Sequence, residues 1–152
     1  MENRTWVQTM RAGWGDMDFN SHMRNTAYLD KAADMRMLYF SAHGFPMSEF
    51  VRLRMGPVIL KDEISYAREV QLLEEIQVDI LCAGLSDDGS QFRILNRYTK
   101  SDGRPAAQVS SLGGWLDLNA RRLALPPPAL LQAMQDMPRS DDFTVMPSLM
   151  KK

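Results

Sequence analysis

The stretch "WGDMDFNSHMRN", residues 14–25, gathers two aspartates, two asparagines, a histidine and a serine between apolar segments. Such a segment is either a polar loop that caps a following helix or a reaction centre in which carboxylate, amide and imidazole meet one substrate atom. Its flanks decide which fold presents it. Upstream, "TWVQTMRAGW" (5–14) sets Trp6, Gln8, Met10 and Ala12 against Val7, Thr9 and Arg11, a loosely alternating strand that ends at Gly13 and Gly15. Downstream, "TAYLDKAADMRMLYFSAHG" (26–44) places Tyr28, Ala32, Met35 and Tyr39 at helical spacing, flanked by Leu29, Ala33, Leu38 and Phe40. Only Asp30, Lys31 and Asp34 form a polar stripe, so this pattern predicts a helix buried over most of its circumference. Asn25 or Thr26 is the expected N-cap, Gly44 and Pro46 the stop, and His43 a C-terminal cap.

Beyond residue 55 the period changes from helical to alternating. "GPVILKDEISYA" (56–67), "EEIQVDILCAG" (74–84), "FRILNRYTK" (92–100) and "AAQVSSLGGWLDL" (106–118) read as four consecutive antiparallel strands. "LSDDGS" and "SDGR" supply turns between them. Gly113 and Gly114 within the last strand point to a bulge or a close backbone approach. "PPPALLQAMQDM" (126–137) opens with prolines that a helix tolerates in its first turn. The order is strand, long helix, four strands, short helix. That is an α+β domain whose sheet has one face to bury, and the apolar helix is the natural object to wrap inside it. The expected organisation is a single domain over 1–137 and a C-terminal tail over 138–152 that drapes over the surface.

Composition narrows the function classes. The chain has 152 residues, 45% hydrophobic and 24% charged, with a formal net charge of -1. It is too apolar for disorder and carries no overall charge that would draw nucleic acid or an anionic membrane. The single cysteine, Cys82, permits no internal disulfide, and no zinc-ligand spacing is present. No segment reaches the roughly 18 apolar residues of a membrane span, and "MENRTWVQTM" lacks a signal-peptide core. The expected location is the cytoplasm. The twelve methionines read as core filler.

The segment "GDMDFNSHMRNTAYLDKAADMR" (15–36), following a first strand and leading into the buried helix, resembles the hotdog-fold thioesterase superfamily. It is similar to the 4-hydroxybenzoyl-CoA thioesterase-like branch and closer to the acyl-ACP thioesterases, whose D-x-D-x-N-x-H pattern reads here as Asp16, Asp18, Asn20 and His22, with Asn25 and Tyr28 also in place. "YAREV" (66–70) resembles the acyl-ACP thioesterase segment in which a catalytic glutamate precedes a cysteine. By that match Glu69 is a partner for Asp18, while Val70 stands in place of the cysteine and brings no thiol mechanism with it. The resemblance implies a hotdog fold, an antiparallel sheet around one long buried helix. It further implies hydrolysis of acyl thioesters, on acyl-CoA or acyl-carrier protein, with no cofactor beyond the coenzyme A of the substrate. Because the acyl-ACP enzymes join two hotdog units in one chain, a homodimer or homotetramer is expected here.

Thioester hydrolysis needs a nucleophile at the carbonyl carbon and donors for the developing oxyanion. Asp18 is the candidate nucleophile or general base, Asn20 an orienting amide, and His22 a proton relay or a donor to the carbonyl. The N-terminus of the following helix offers free amides and a favourable dipole. Asp16 reads as a turn or cap residue, and Tyr28 and Tyr39 as core. Arg93, Arg97, Lys100 and Arg104 either hold coenzyme A phosphates or solubilise a strand edge. Two other functions fit the same fold, a dehydratase or hydratase acting on acyl thioesters and a non-catalytic acyl-binding domain.

Overall fold

The computed structural model describes residues 5–150. Residues 1–4 and 151–152, the outer ends of the expected domain and tail, lie outside the described residues. Strand β1 (Val7–Arg11) leads through the polar loop to the long helix α1 (Asn25–Ala42). A second helix, α2 (Met47–Leu53), ends on Arg54 in the left-handed region and turns the chain into β2 (Met55–Tyr66). The strands β3 (Glu75–Asp79), β4 (Leu81–Ser86), β5 (Gln91–Lys100), β6 (Pro105–Asp117) and β7 (Arg122–Ala124) follow, then α3 (Pro128–Asp136) and β8 (Arg139–Met146).

All eight strands form one sheet. β5 lies at its centre, pairing with β6 along one side and with β3 and then β4 along the other. β1 extends the sheet beyond β3, β2 lies beyond β6, and β2 has no further strand partner among the described residues. Every pairing is antiparallel except that of β8 with β4. The sheet wraps α1, whose Tyr28, Ala32, Met35, Tyr39 and Phe40 are buried against it. Phe40 meets Trp115 of β6 at 5.9 Å, and Phe92 of β5 meets the same indole at 5.0 Å. Burying side chains of this size contributes about 1.5–3 kcal/mol each, so this aromatic layer fixes the helix on the sheet. The result is the hotdog fold.

Several local expectations are corrected. α1 is not buried over most of its circumference, because the sheet covers one side and leaves Asp30, Asp34, Leu38 and Ser41 exposed. Neither Asn25 nor Thr26 is the N-cap: Arg24 holds that position, and no side chain caps the first turn. The segment read as one strand over 74–84 breaks at Ile80 into β3 and β4, the Ile80 amide donating to Trp6 O at the end of the β1–β3 ladder. Residues 139–146, expected in a surface tail, form β8 and complete the sheet edge beside β4. His43 does cap α1, its Nδ1 lying 2.8 Å from Tyr39 O while its ring stacks on that tyrosine.

Gly113 and Gly114 mark a close approach. A Cβ on Gly113 would sit 2.3 Å from Val58 O, and one on Gly114 would sit 2.8 Å from Ser90 O. The neighbouring irregularity belongs to β2, where the register shifts between Ile59 and Lys61. Among the described residues no helix is long and apolar enough to cross a membrane.

Candidate active site

The polar loop between β1 and α1 is a compact structure held by its own backbone. Met17 and Met23 form an antiparallel bridge, and within it Asp18 N donates to His22 O (3.1 Å) and Ser21 N to Asp18 O (3.1 Å). Ser21 takes φ of +66°, which lets the chain reverse there. Met23 N donates to Val70 O at 2.8 Å, tying the loop to the segment that follows β2. That bond joins the end of "YAREV" to the loop. Val70, at the position of the absent thiol, is fully buried core.

Asp16 has the structural role expected of it. Its Oδ2 accepts from Gly13 N at 2.8 Å and from Lys31 Nζ at 3.0 Å, and Lys31 also reaches Arg11 O. Burial works against the carboxylate, but the Gly13 amide and the Lys31 ammonium outweigh it and hold the acid below its ordinary pKa. The end of β1, the loop and α1 are thereby clamped together.

Asp18 turns the other way. Its Oδ1 accepts the Asn20 amide at 2.9 Å, and its Oδ2 lies 3.7 Å from His22 Nδ1. That nitrogen is closer to Met23 O, 3.1 Å away, where it donates a proton and fixes the ring. Asp18, Asn20 and His22 line a cleft of about 490 Å³ together with Asn25, Tyr28, Tyr66, Arg68 and Glu69. The four sequence-predicted residues, from segments almost fifty positions apart, therefore face one space. Among the described residues no hydrogen bond joins Glu69 to Asp18. The Glu69 carboxylate accepts from Gln71 Nε2 at 3.3 Å, while its carbonyl holds Lys100 Nζ at 2.7 Å.

The cleft also contains residues outside the expected catalytic set. Tyr28, read as core, is buried yet forms part of the wall, with its ring edge-on to Tyr66 (5.4 Å) and Tyr98 (5.2 Å). Burial, reinforced by Tyr66 and by the charges of Glu74 and Glu69, pushes its phenol up to about 12, so it remains a donor at neutral pH. Asn25 opens the uncapped first turn of α1. Both residues belong to the quoted motif. Tyr66 heads the "YAREV" segment, and its alternation with Ile64 and Asp62 marks the face of β2 it occupies but not the cleft.

The basic residues have acids of their own. Arg97 pairs with Asp79 (2.6 Å), Lys100 with Glu74 (3.1 Å) and Arg104 with Asp102 (2.7 Å), while Arg93 is exposed. Cys82 is buried in β4, with its thiol donating to Gly84 O at 3.3 Å and pushed up to about 11 by burial. Among the described residues no group of three His, Cys, Asp or Glu side chains is placed to share a metal ion.

A sheet wrapped around a helix, with a polar cleft lined in part by the first residue of that helix, defines a hotdog protein. Residues 12–134 match the thioesterase-like superfamily, and the chain belongs to that family. A search of curated proteins found no match. Among solved structures, a hypothetical protein from Staphylococcus aureus determined in complex with CoA superposes with a TM-score of 0.80 at 18% identity, over 100% of this chain and 92% of that one. A 1,4-dihydroxy-2-naphthoyl-CoA thioesterase from Synechocystis gives 0.77 at 11% identity, over 88% and 97%. A DHNA-CoA thioesterase from Staphylococcus aureus gives 0.78 at 13%, over 86% and 89%.

Proposed function

We propose that this protein hydrolyses acyl thioesters, with acyl-CoA as substrate and Asp18 as nucleophile or general base. The observation that carries this reading is the single cleft onto which Asp18, Asn20, His22 and Glu69 all open, beside an α1 N-terminus that no side chain caps. Water adds to the thioester carbonyl carbon, directly or by way of an acyl-enzyme on Asp18. The carbon–sulfur bond breaks, and the thiolate takes up the proton that water gives. Charge on the carbonyl oxygen develops next to the free amides at the start of α1, where the helix dipole favours it. The Asn20 backbone N–H orients the Asp18 carboxylate, and His22 stands within reach to carry a proton. Family membership supports the reaction class, and the solved relatives named for CoA thioesters or bound to CoA support coenzyme A over carrier protein.

The proposed working unit is a homodimer or homotetramer in the cytoplasm. β2 has no strand beyond it, and its exposed Leu60 and the exposed Phe19 of the loop are surfaces for a second copy to cover. The deciding experiment measures thiol release over acyl-CoAs of several chain lengths with a thiol-reactive dye. Release that depends on Asp18 supports the hydrolase. An altered acyl chain without thiol release identifies a dehydratase or hydratase instead, and binding without either change identifies an acyl-binding domain.

A further inference from the structure

The helix-facing side of the sheet is organised in cross-strand rows. Tyr66, Ala107 and Tyr98 form the row at the cleft, Ile64, Val109 and Asn96 the next, and Asp62, Ser111 and Ile94 the third. The first row is aromatic and the second is apolar at the β2 edge. The third is polar, and α1 sets Arg36 upon it. Arg36 is only 7% exposed, and among the described residues its single hydrogen bond is from Nη1 to Ser111 Oγ at 3.3 Å. Ser111 in turn donates to Asp62 Oδ1 at 2.6 Å. Burial pulls the guanidinium below its ordinary pKa, and Asp62 is the first of the groups that oppose it.

A buried guanidinium is costly unless its donors are used, and a fold that needed only packing here would place an aliphatic side chain. Asn96 Oδ1 is the one fully buried side-chain polar atom without a partner among the described residues, so the spare donors of Arg36 are not sealed from solvent. The amide of Asn96 cannot be reversed to help, because its nitrogen donates to Asp79 O at 2.9 Å. Polar capacity is thus left over beneath α1 beyond the cleft. Tyr28 and Arg36 are eight residues apart on one face of α1, about 12 Å at 1.5 Å per residue. Tyr66 and Asp62 span a similar length on β2, about 13 Å. β2 is an edge strand, with Ile64 half-buried and Asp62 exposed, so solvent reaches the flank of these rows.

We propose that Arg36, Ser111 and Asp62 form the polar far end of the acyl site, and that the preferred substrates are acyl thioesters bearing a hydroxyl group distant from the thioester carbon. This rests on the cleft at Asp18 being the thioester site. A hydroxyl suits the pair better than a carboxylate would, since it accepts from Arg36 and donates to Asp62, whereas a second anion would be repelled by Asp62. A plain alkyl end would strip water from both groups and replace none of their hydrogen bonds. Sites built to hydrogen-bond a substrate hydroxyl discriminate strongly against the analogue that lacks it.

The test compares hexanoyl-, octanoyl- and decanoyl-CoA with their 6-, 8- and 10-hydroxy counterparts. It reads kcat/KM by thiol release and, separately, affinity by calorimetry on the corresponding non-hydrolysable S-alkyl and S-hydroxyalkyl thioethers of CoA. At least one hydroxylated compound is expected to exceed its plain partner tenfold or more in both readouts. Arg36→Met should bring that ratio below about threefold. Should this variant fail to fold, Ser111→Ala, which leaves the packing nearly intact, should lower the same ratio at least threefold. Ratios within threefold for all three wild-type pairs, or a preference that survives in every folded variant, overturn the proposal. If no thioester is hydrolysed the proposed activity falls, and the thioether affinities alone decide this inference; failure to bind any of them overturns it as well.

Discussion

The Asp18 carboxylate is the only one of the loop's two acids whose oxygens are not taken up by a clamp, and that difference separates a reactive group from a structural one. Asp16 is tied to an amide and an ammonium, whereas Asp18 accepts one local amide and otherwise faces the cleft. Asp18→Asn is expected to fold as the wild type does and to lose at least roughly a hundredfold in kcat, the scale for a positioned acid-base or nucleophilic group. Near wild-type turnover in a folded variant would transfer the role to Glu69. Cys82→Ala should keep its turnover, because a buried thiol whose pKa has risen to about 11 supplies no thiolate at neutral pH. A folded Cys82→Ala protein without activity would refute that. Asp18, Asn20 and His22 were legible because they are close in sequence, and the loop that presents them is closed by its own backbone. Tyr66 and Arg68 were not legible as cleft residues. Tyr66 is placed by its pairing with Ala107 and Arg68 by its amide bond to Ala106 O, long-range contacts that no local pattern encodes.

At the scale of elements, alternation and helical spacing identified α1, β2, β5, β6 and α3 because each contains enough residues for its period to show. β1, though short, was also read from its alternation, and three elements were missed. β7 has three residues, α2 is a seven-residue helix, and β8 reads "RSDDFTVM", a polar run whose strand character comes only from β4 beside it. Where β8 ends, a hydroxyl and carboxylate network holds the chain: Asp88 accepts from the Ser86 and Ser148 hydroxyls and the Ser90 amide, and Leu149 N donates to Ser90 Oγ. Burial is the largest single influence on the Asp88 carboxylate and opposes its charge, but the Ser148, Ser90 and Ser86 donors together prevail and hold its pKa far below the usual range. A carboxylate depressed in the folded state stabilises above its unfolded pKa, near 3.8, and loses that contribution as pH falls toward its folded value. Ser148→Ala should therefore hasten amide exchange at Leu149 and Met150 at pH 7 and flatten the fall in stability below pH 4. Unchanged exchange would show that β8 pairing alone fixes the C-terminus. The glycines test the sheet itself. Gly113→Ala places a methyl 2.3 Å from Val58 O, against backbone that cannot yield cheaply, and should cost about 1–3 kcal/mol in a denaturant titration.

For the whole molecule, the edge strand is what makes one copy incomplete. β2 is twelve residues long with one partner, and its register shift leaves Leu60 exposed at 51% in the middle of an open edge. A long unprotected edge with an exposed leucine favours pairing with another chain, and a second copy supplies a matching edge by two-fold symmetry. The third row of the sheet, with Asp62, lies along that same edge, so the partner would close the flank on which the acyl group is proposed to lie. Light scattering should give at least the mass of two chains at assay concentrations. Leu60→Lys should shift the protein toward the monomer and reduce thiol release in parallel with the loss of dimer. Asp18 and Glu69 of one chain face the same cleft, which makes a further distinction available. Mixing Asp18→Asn with Glu69→Gln, followed by subunit exchange, should restore no activity beyond the sum of the two, because every cleft in the mixed dimer keeps one defect. Recovery toward a quarter of wild type, the share of clefts left intact after statistical exchange, would mean that Glu69 acts across the interface. Full activity at the monomer mass would remove the dimer from the mechanism.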